Sequence, residues 1–256
     1  MQTELKQQIA RLAAKYETTQ FLPADPSSFM HKVDGAANRE APAFLASCLS
    51  YGSRKQFFPK IQFIVDAAKG EVDHWVRSGE WRSDIPDTAA CYYRLYTFHD
   101  MHCLIAAYEK MLGEWGSMKA FVAGKAREGV DSANNMSVTA IEAVAALCDF
   151  FAKNGAGKVV PKNTTSACKR VCMFLRWMVR TGSPVDLGLW ADFIDKRNLF
   201  IPMDTHVFQM STRLALLSQK TATWKSVELL RQMMLEVFPD DPSKGDFALF
   251  GYDVDK

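Results

Sequence analysis

No apolar run in the chain approaches the ~20 residues needed to span a bilayer, so a transmembrane helix is excluded from the expectation. The stretch from Met1 to Tyr16 is charged and amphipathic. It lacks the apolar core and small-residue cleavage site of a secretory signal, which predicts a cytoplasmic protein. Paired cysteines are missing too. The six cysteines, Cys48, Cys91, Cys103, Cys148, Cys168 and Cys172, form no C-x-x-C pair. The closest two, Cys168 and Cys172, stand one helical turn apart with no matching Cys or His pair nearby. That spacing predicts no zinc site and no iron–sulfur cluster, and no cofactor is expected. Free cysteines in apolar surroundings are small core residues, and a cytosolic setting argues against disulfides. Strand-like alternation is essentially absent as well.

What is present is helical periodicity in an ordinary globular composition, 48% hydrophobic and 23% charged, which allows a sizeable core. Val207, Met210, Leu214 and Leu217 recur at three- and four-residue steps, as do Trp224, Val227, Leu230, Met234 and Val237. Each series marks the buried face of one helix. The pattern predicts an all-α protein with helices near 2–17, 37–50, 55–69, 87–96, 98–113, 135–152, 165–180, 203–218, 223–237 and 243–251. Two irregular stretches interrupt it, 153–165 and 181–202, punctuated by glycine and proline. Loops held by rigid helices are where binding and catalytic groups concentrate.

Acidic residues vanish from one segment. Between Lys153 and Thr181 the 29 residues include Lys153, Lys158, Lys162, Lys169, Arg170, Arg176 and Arg180 and no Asp or Glu. Net charge overall is only +2, so the local excess carries the information. Two readings stand: a phosphate-binding stripe, or a solvated basic face.

On a helix through this segment, Val171, Phe174, Leu175 and Met178 share one side, and Lys169, Arg176 and Arg180 share the other. The spacing predicts a line of three cations on a polar face. Lys169 falls in the first turn, the unfavourable end of the helix dipole for a cation. The dipole and neighbouring cations lower a lysine's pKa, which makes its amine a better nucleophile. A surface lysine is the alternative. Farther on, Pro202-Met203-Asp204-Thr205 precedes a strongly periodic run, and Asp204 fits a helix N-cap. A carboxylate fixed there is also suited to steady developing positive charge or to activate a nucleophile.

The run Pro202-Met203-Asp204-Thr205-His206-Val207-Phe208, with Arg213 following, resembles the V-D-T-H signature of helix-hairpin-helix DNA glycosylases, in which the aspartate is catalytic. Lys169-Arg170-Val171-Cys172-Met173-Phe174-Leu175 resembles the helix that opens with the catalytic lysine of the bifunctional members. Leu45 to Gly52 resembles their early helix that ends on the base pocket. The chain also resembles an uncharacterised bacterial family, through Met173 to Arg180 and Asp246-Phe247-Ala248-Leu249-Phe250-Gly251, and that family is similar to archaeal 8-oxoguanine DNA glycosylase. Thirty-five positions separate Lys169 from Asp204, a long gap like that of the archaeal branch. The glycine pair of the usual hairpin, L-P-G-x-G-x-x-T-A, is absent, and the matching stretch is Pro161 to Cys168. The four-cysteine cluster of the endonuclease III branch is absent too.

The resemblance implies a single helical unit of two packed lobes, with a central lobe near 70–180 and the remainder from the terminal helices. It implies a monomeric base-excision enzyme, associated with the nucleoid, whose partner is double-stranded DNA with a damaged base such as 8-oxoguanine. Lys169 and Asp204 are its implied catalytic pair. Lys162, Arg170 and Arg176 are the residues expected to hold the DNA backbone, with Lys162 a rival nucleophile. Ser50, Tyr51, Trp177, Phe200 and His206 are candidates for the base pocket. Two alternatives remain open: a non-catalytic DNA-binding protein on the same fold, and a helical protein-interaction module.

Overall fold

In the computed structural model, which describes residues 1–127 and 138–254, 63% of the chain is helical and 3% is strand, so the class is all-α. The chain divides into two compact units. The first comprises Met1–Asp25, Met136–Val144 and Asn163–Lys256, and the second Pro26–Asn135 and Ala145–Lys162. The resemblance implies a central lobe near 70–180, and the second unit overlaps that range from 70 to 135 and from 145 to 162. No described helix is long and apolar enough to cross a membrane.

In the second unit the helices are α2 (Ala36–Leu49), α3 (Arg54–Ala67), α4 (Val72–Ser78), α5 (Trp81–Asp84), α6 (Phe98–Trp115), α7 (Met118–Arg127) and most of α8 (Ala140–Lys153). Helix α2 is its centre, buried almost throughout from Asn38 to Leu49. Burying polar groups there is tolerated because each has a partner. Asn38 Nδ2 donates to the Gly70 carbonyl at 2.7 Å, its Oδ1 accepts the Asp73 N–H, and Glu40 Oε1 accepts the Met118 N–H at the start of α7. Phe44 stacks on Phe151 of α8 with ring centroids 4.8 Å apart.

Where the sequence predicts a helix over 87–96, the chain forms an antiparallel hairpin, β1 (Cys91–Tyr93) and β2 (Tyr96–Thr97), with Arg94 and Leu95 as its loop. Tyrosine and threonine favour strands. The turn escapes notice because Arg94 takes a left-handed φ of 53° that glycine or asparagine usually signals. Helices α4, α5 and α7 also go unpredicted, since all three are short. The predicted start of α8 at 135–137 lies outside the described residues.

The first unit holds α1 (Thr3–Tyr16), α9 (Lys169–Val179), α10 (Thr205–Arg213), α11 (Trp224–Leu235) and α12 (Gly245–Val254). Helix α12 packs on both α1 and α10. Every residue of α9 from Val171 to Val179 is buried. The stretch after it folds back, with the Leu187 N–H donating to the Trp177 carbonyl and the Trp190 N–H to that of Met178, both at 2.7 Å.

Candidate active site

Helix α9 begins at Lys169, a few residues later than its hydrophobic pattern suggests. Cys168, at a φ of 46°, reverses the backbone just before it. A local turn precedes that: Asn163 Oδ1 accepts both the Thr165 N–H and its hydroxyl, and the Cys168 thiol donates to the Asn163 carbonyl at 3.2 Å. Lys169 is thus the first helical residue. Its side chain is half-buried, and three carboxylates from three places in the chain act on its amine. Asp204 caps α10, accepting the Val207 N–H at 2.9 Å. Asp246 lies in the first turn of α12, and Asp25 is buried at the end of the N-terminal segment.

Desolvation lowers the Lys169 pKa below the usual lysine value, and Arg170 adds to that, while Asp204, Asp246 and Asp25 oppose it. Burial, not the helix dipole argued from sequence, is the main cause. Burial also pushes the Asp246 carboxyl up to about 6; Arg176 and Lys169 pull it down, and Asp204 and Asp25 push it further up. The arrangement is a desolvated amine facing a set of carboxylates. Such a group is fit to act as a nucleophile once it has given up its proton.

Arg176 is not a DNA-backbone cation. It is buried at 3% exposure, its Nε donates to Asp186 at 3.2 Å and its Nη1 pairs with Asp246. Arg180, one turn on, is equally buried and joins Asp186, Asp241 and Glu17. The expected line of cations on a solvent face is instead half of an interior ion-pair network. The carboxylates lie far off in sequence, which is why a count along the segment shows only positive charge. Elsewhere in the segment Lys153 pairs with Asp149 at 2.7 Å and Lys158 with Asp100 at 2.6 Å. The basic stripe is therefore largely neutralised. Arg170 is half-buried in the first turn of α9.

Lys169 and Asp204 both lie in the first unit, and the Asp204 carboxylate acts electrostatically on the amine. Lys162 is exposed and is the last residue of the second unit. Ser50 and Tyr51 also belong to the second unit; Ser50 is buried and its hydroxyl donates to the Ala46 carbonyl at 2.7 Å. Trp177 is fully buried in α9, which removes it as an accessible pocket residue. Phe200 is buried against Trp224, and His206 is exposed with its ring edge-on to Phe250. Cys91 departs from the core-cysteine expectation because it is exposed. Asp25 and Asp246 escape the sequence reading as site residues; Asp246 opens a conspicuous run, but nothing local in it announces a partner. Among the described residues no group of His, Cys, Asp and Glu is arranged to hold a metal ion.

A family model described as "Protein of unknown function (DUF2400)" matches residues 25–255, which include the whole of this cluster. Among the curated proteins and among the solved structures, nothing matches the chain.

Proposed function

The chain belongs to the DUF2400 family, and we propose that it is a DNA base-excision glycosylase with abasic-site lyase activity, built as a two-lobed helix-hairpin-helix type of fold. Its substrate class is double-stranded DNA carrying an oxidised purine such as 8-oxoguanine. The observation that carries the proposal is a desolvated Lys169 amine at the start of α9 under the electrostatic influence of Asp204, whose carboxylate is fixed by the Val207 N–H at 2.9 Å. These are the two residues that the glycosylase signature singles out by sequence alone.

In this scheme the lesion nucleotide leaves the stack, at a cost of a few kcal/mol. The neutral Lys169 amine attacks the sugar's anomeric carbon as the glycosidic bond breaks, and the base departs with the bonding electrons and takes up a proton. Asp204 stabilises the positive charge that develops on the sugar. The attached nitrogen then passes one of its two protons to the ring oxygen as the sugar ring opens, which leaves a protonated Schiff base. Loss of a proton from the adjacent carbon expels the 3′ phosphate and cleaves the strand. Arg176 has no part in holding DNA; it anchors Asp246 beside the amine.

Borohydride trapping on a duplex containing 8-oxoguanine tests this. Wild type and Lys162→Gln should form a covalent adduct, Lys169→Gln should not, and Asp204→Asn should lose turnover. No adduct and no base release across oxidised, alkylated and deaminated bases would leave a non-catalytic DNA-binding or interaction protein.

A further inference from the structure

The second unit carries an unusual solvent-facing feature. Large apolar side chains with high exposure are few among the described residues: Leu95 at 74%, Phe63 at 41% and Ile141 at 40%. Leu95 is the most exposed, at the tip of the β1–β2 hairpin beside the exposed Arg94. An isolated surface leucine needs no explanation. This one is held in place, however.

The Leu95 N–H donates to the Tyr51 hydroxyl at 3.2 Å, and the Tyr93 hydroxyl donates back to the Tyr51 carbonyl. The Tyr51 ring meets those of Tyr93 and Tyr96 edge-on, each at 5.1 Å. The Arg94 guanidinium lies 5.5 Å from the Tyr51 ring centre. Gly52 below it has a φ of 79°, which side-chain-bearing residues rarely adopt. Arg94 itself holds a left-handed φ that costs an ordinary residue energy. A strained, braced tip that ends in an exposed leucine is not what a surface loop needs for folding.

Charge in the hairpin and in the first half of α3 has one sign. Residues 51–60 and 88–98 include Arg54, Lys55, Lys60 and Arg94, with no Asp or Glu. The Lys60 ammonium sits 5.1 Å from the Tyr92 ring centre, and Phe63 meets that ring edge-on. The acids that bracket the hairpin in sequence are engaged, Asp100 by Lys158 at 2.6 Å and Asp87 by His99. A rigid apolar point among cations and aromatic rings suits a polyanion that has apolar faces to offer, which is nucleic acid. One leucine is too little apolar area to hold a membrane surface.

We propose that the Arg94–Leu95 tip is a nucleic-acid contact, with Leu95 entering a duplex where its bases are unstacked and Arg94 holding an adjacent phosphate. The proposal shares with base excision only the premise that the partner is DNA. It uses none of Lys169, Asp204 or the largely neutralised basic segment, so it holds equally for a DNA-binding protein without chemistry.

The full chain is titrated against two labelled duplexes, one intact and one carrying a tetrahydrofuran abasic analogue beside 2-aminopurine. Leu95→Ser should lose about tenfold in affinity for the abasic duplex, the size of one good contact, together with the 2-aminopurine fluorescence rise. Leu95→Phe should keep both. Arg94→Gln should weaken both duplexes alike and reduce the salt slope by about one. Leu95→Ser with wild-type affinity and fluorescence overturns the proposal, while borohydride trapping still reports separately on catalysis. Failure of the wild type to bind either duplex at low salt overturns it as well. So does binding to anionic lipid vesicles that depends on Leu95 when duplex binding does not.

Discussion

Arg180 Nε donates to both carboxylate oxygens of Asp241, at 3.1 and 2.9 Å, in the interior of the first unit. The rest of its fork reaches Asp186 and, at 2.7 Å, Glu17 near the start of the chain. Arg180 thereby ties together α9, the stretch after it, the approach to α12 and the N-terminal segment. Removing one partner of a buried pair leaves the others uncompensated, at a cost of ~3–5 kcal/mol. Arg180→Ala should therefore lower the urea-unfolding free energy by about that amount. Arg180→Lys should recover little, because a point charge cannot reproduce the fork's contacts with three carboxylates.

Asp204 has two separable roles, and substitution can divide them. As N-cap of α10 it accepts the Val207 N–H. Asparagine caps a helix about as well, so Asp204→Asn should change stability by only a few tenths of a kcal/mol while abolishing excision. Alanine should cost ~1 kcal/mol in addition. Chemical denaturation beside a turnover assay reads both. If Asp204→Asn retains full turnover, the carboxylate serves only as a cap.

The all-α class and the helix starts at Lys169 and Asp204 are legible in the sequence, and the reasons for the misses are physical. Long periodic helices such as α11 announce themselves. So do Asp204, through the proline and the periodic run around it, and Lys169, through its place at a helix start. Arg176 and Arg180 mislead because position on a helix tells which side a residue is on, not what covers that side. Their partners, Asp186, Asp241, Asp246 and Glu17, are brought in by tertiary packing. The two runs that stand out by resemblance, Met173–Arg180 and Asp246–Gly251, meet each other in the fold. Arg176 pairs with Asp246 and lies 4.6 Å from the Phe247 ring centre, and Arg180 lies 5.3 Å from it. The hairpin is invisible because its turn contains no glycine or asparagine.

Asp246 should leave a signature in the pH dependence of stability. Burial raises its folded pKa from 3.8 to about 6, against the pull of Arg176 and Lys169 and with the push of Asp204 and Asp25. Across that interval the folded state binds more protons than the unfolded state, so stability falls as pH rises. The stabilising contribution is complete below about pH 4 and gone above about pH 6. Asp186, also raised by burial, works in the same sense. Asp246→Asn should make the decline over that window shallower without removing it. Unfolding free energies measured across the window for both proteins give the slopes, and an unchanged slope would mean Asp246 titrates as an ordinary carboxylate.

Gly251 explains the end of the same run. It sits in α12 where that helix crosses α1, and a Cβ built on it would lie 2.2 Å from Cγ of Tyr16. No aromatic ring can yield that much without moving its backbone, so the two helices would have to separate. Overpacking of this kind costs ~1–3 kcal/mol. Gly251→Ala gains helix propensity, about 1 kcal/mol in its favour, so the clash must exceed that gain for the variant to be destabilised. Tyr16→Ala removes the obstacle and should make Gly251→Ala stabilising in that background. A double-mutant cycle on unfolding free energy isolates the coupling. Additive effects would show that α12 and α1 approach less closely at Gly251 than the ring contact requires.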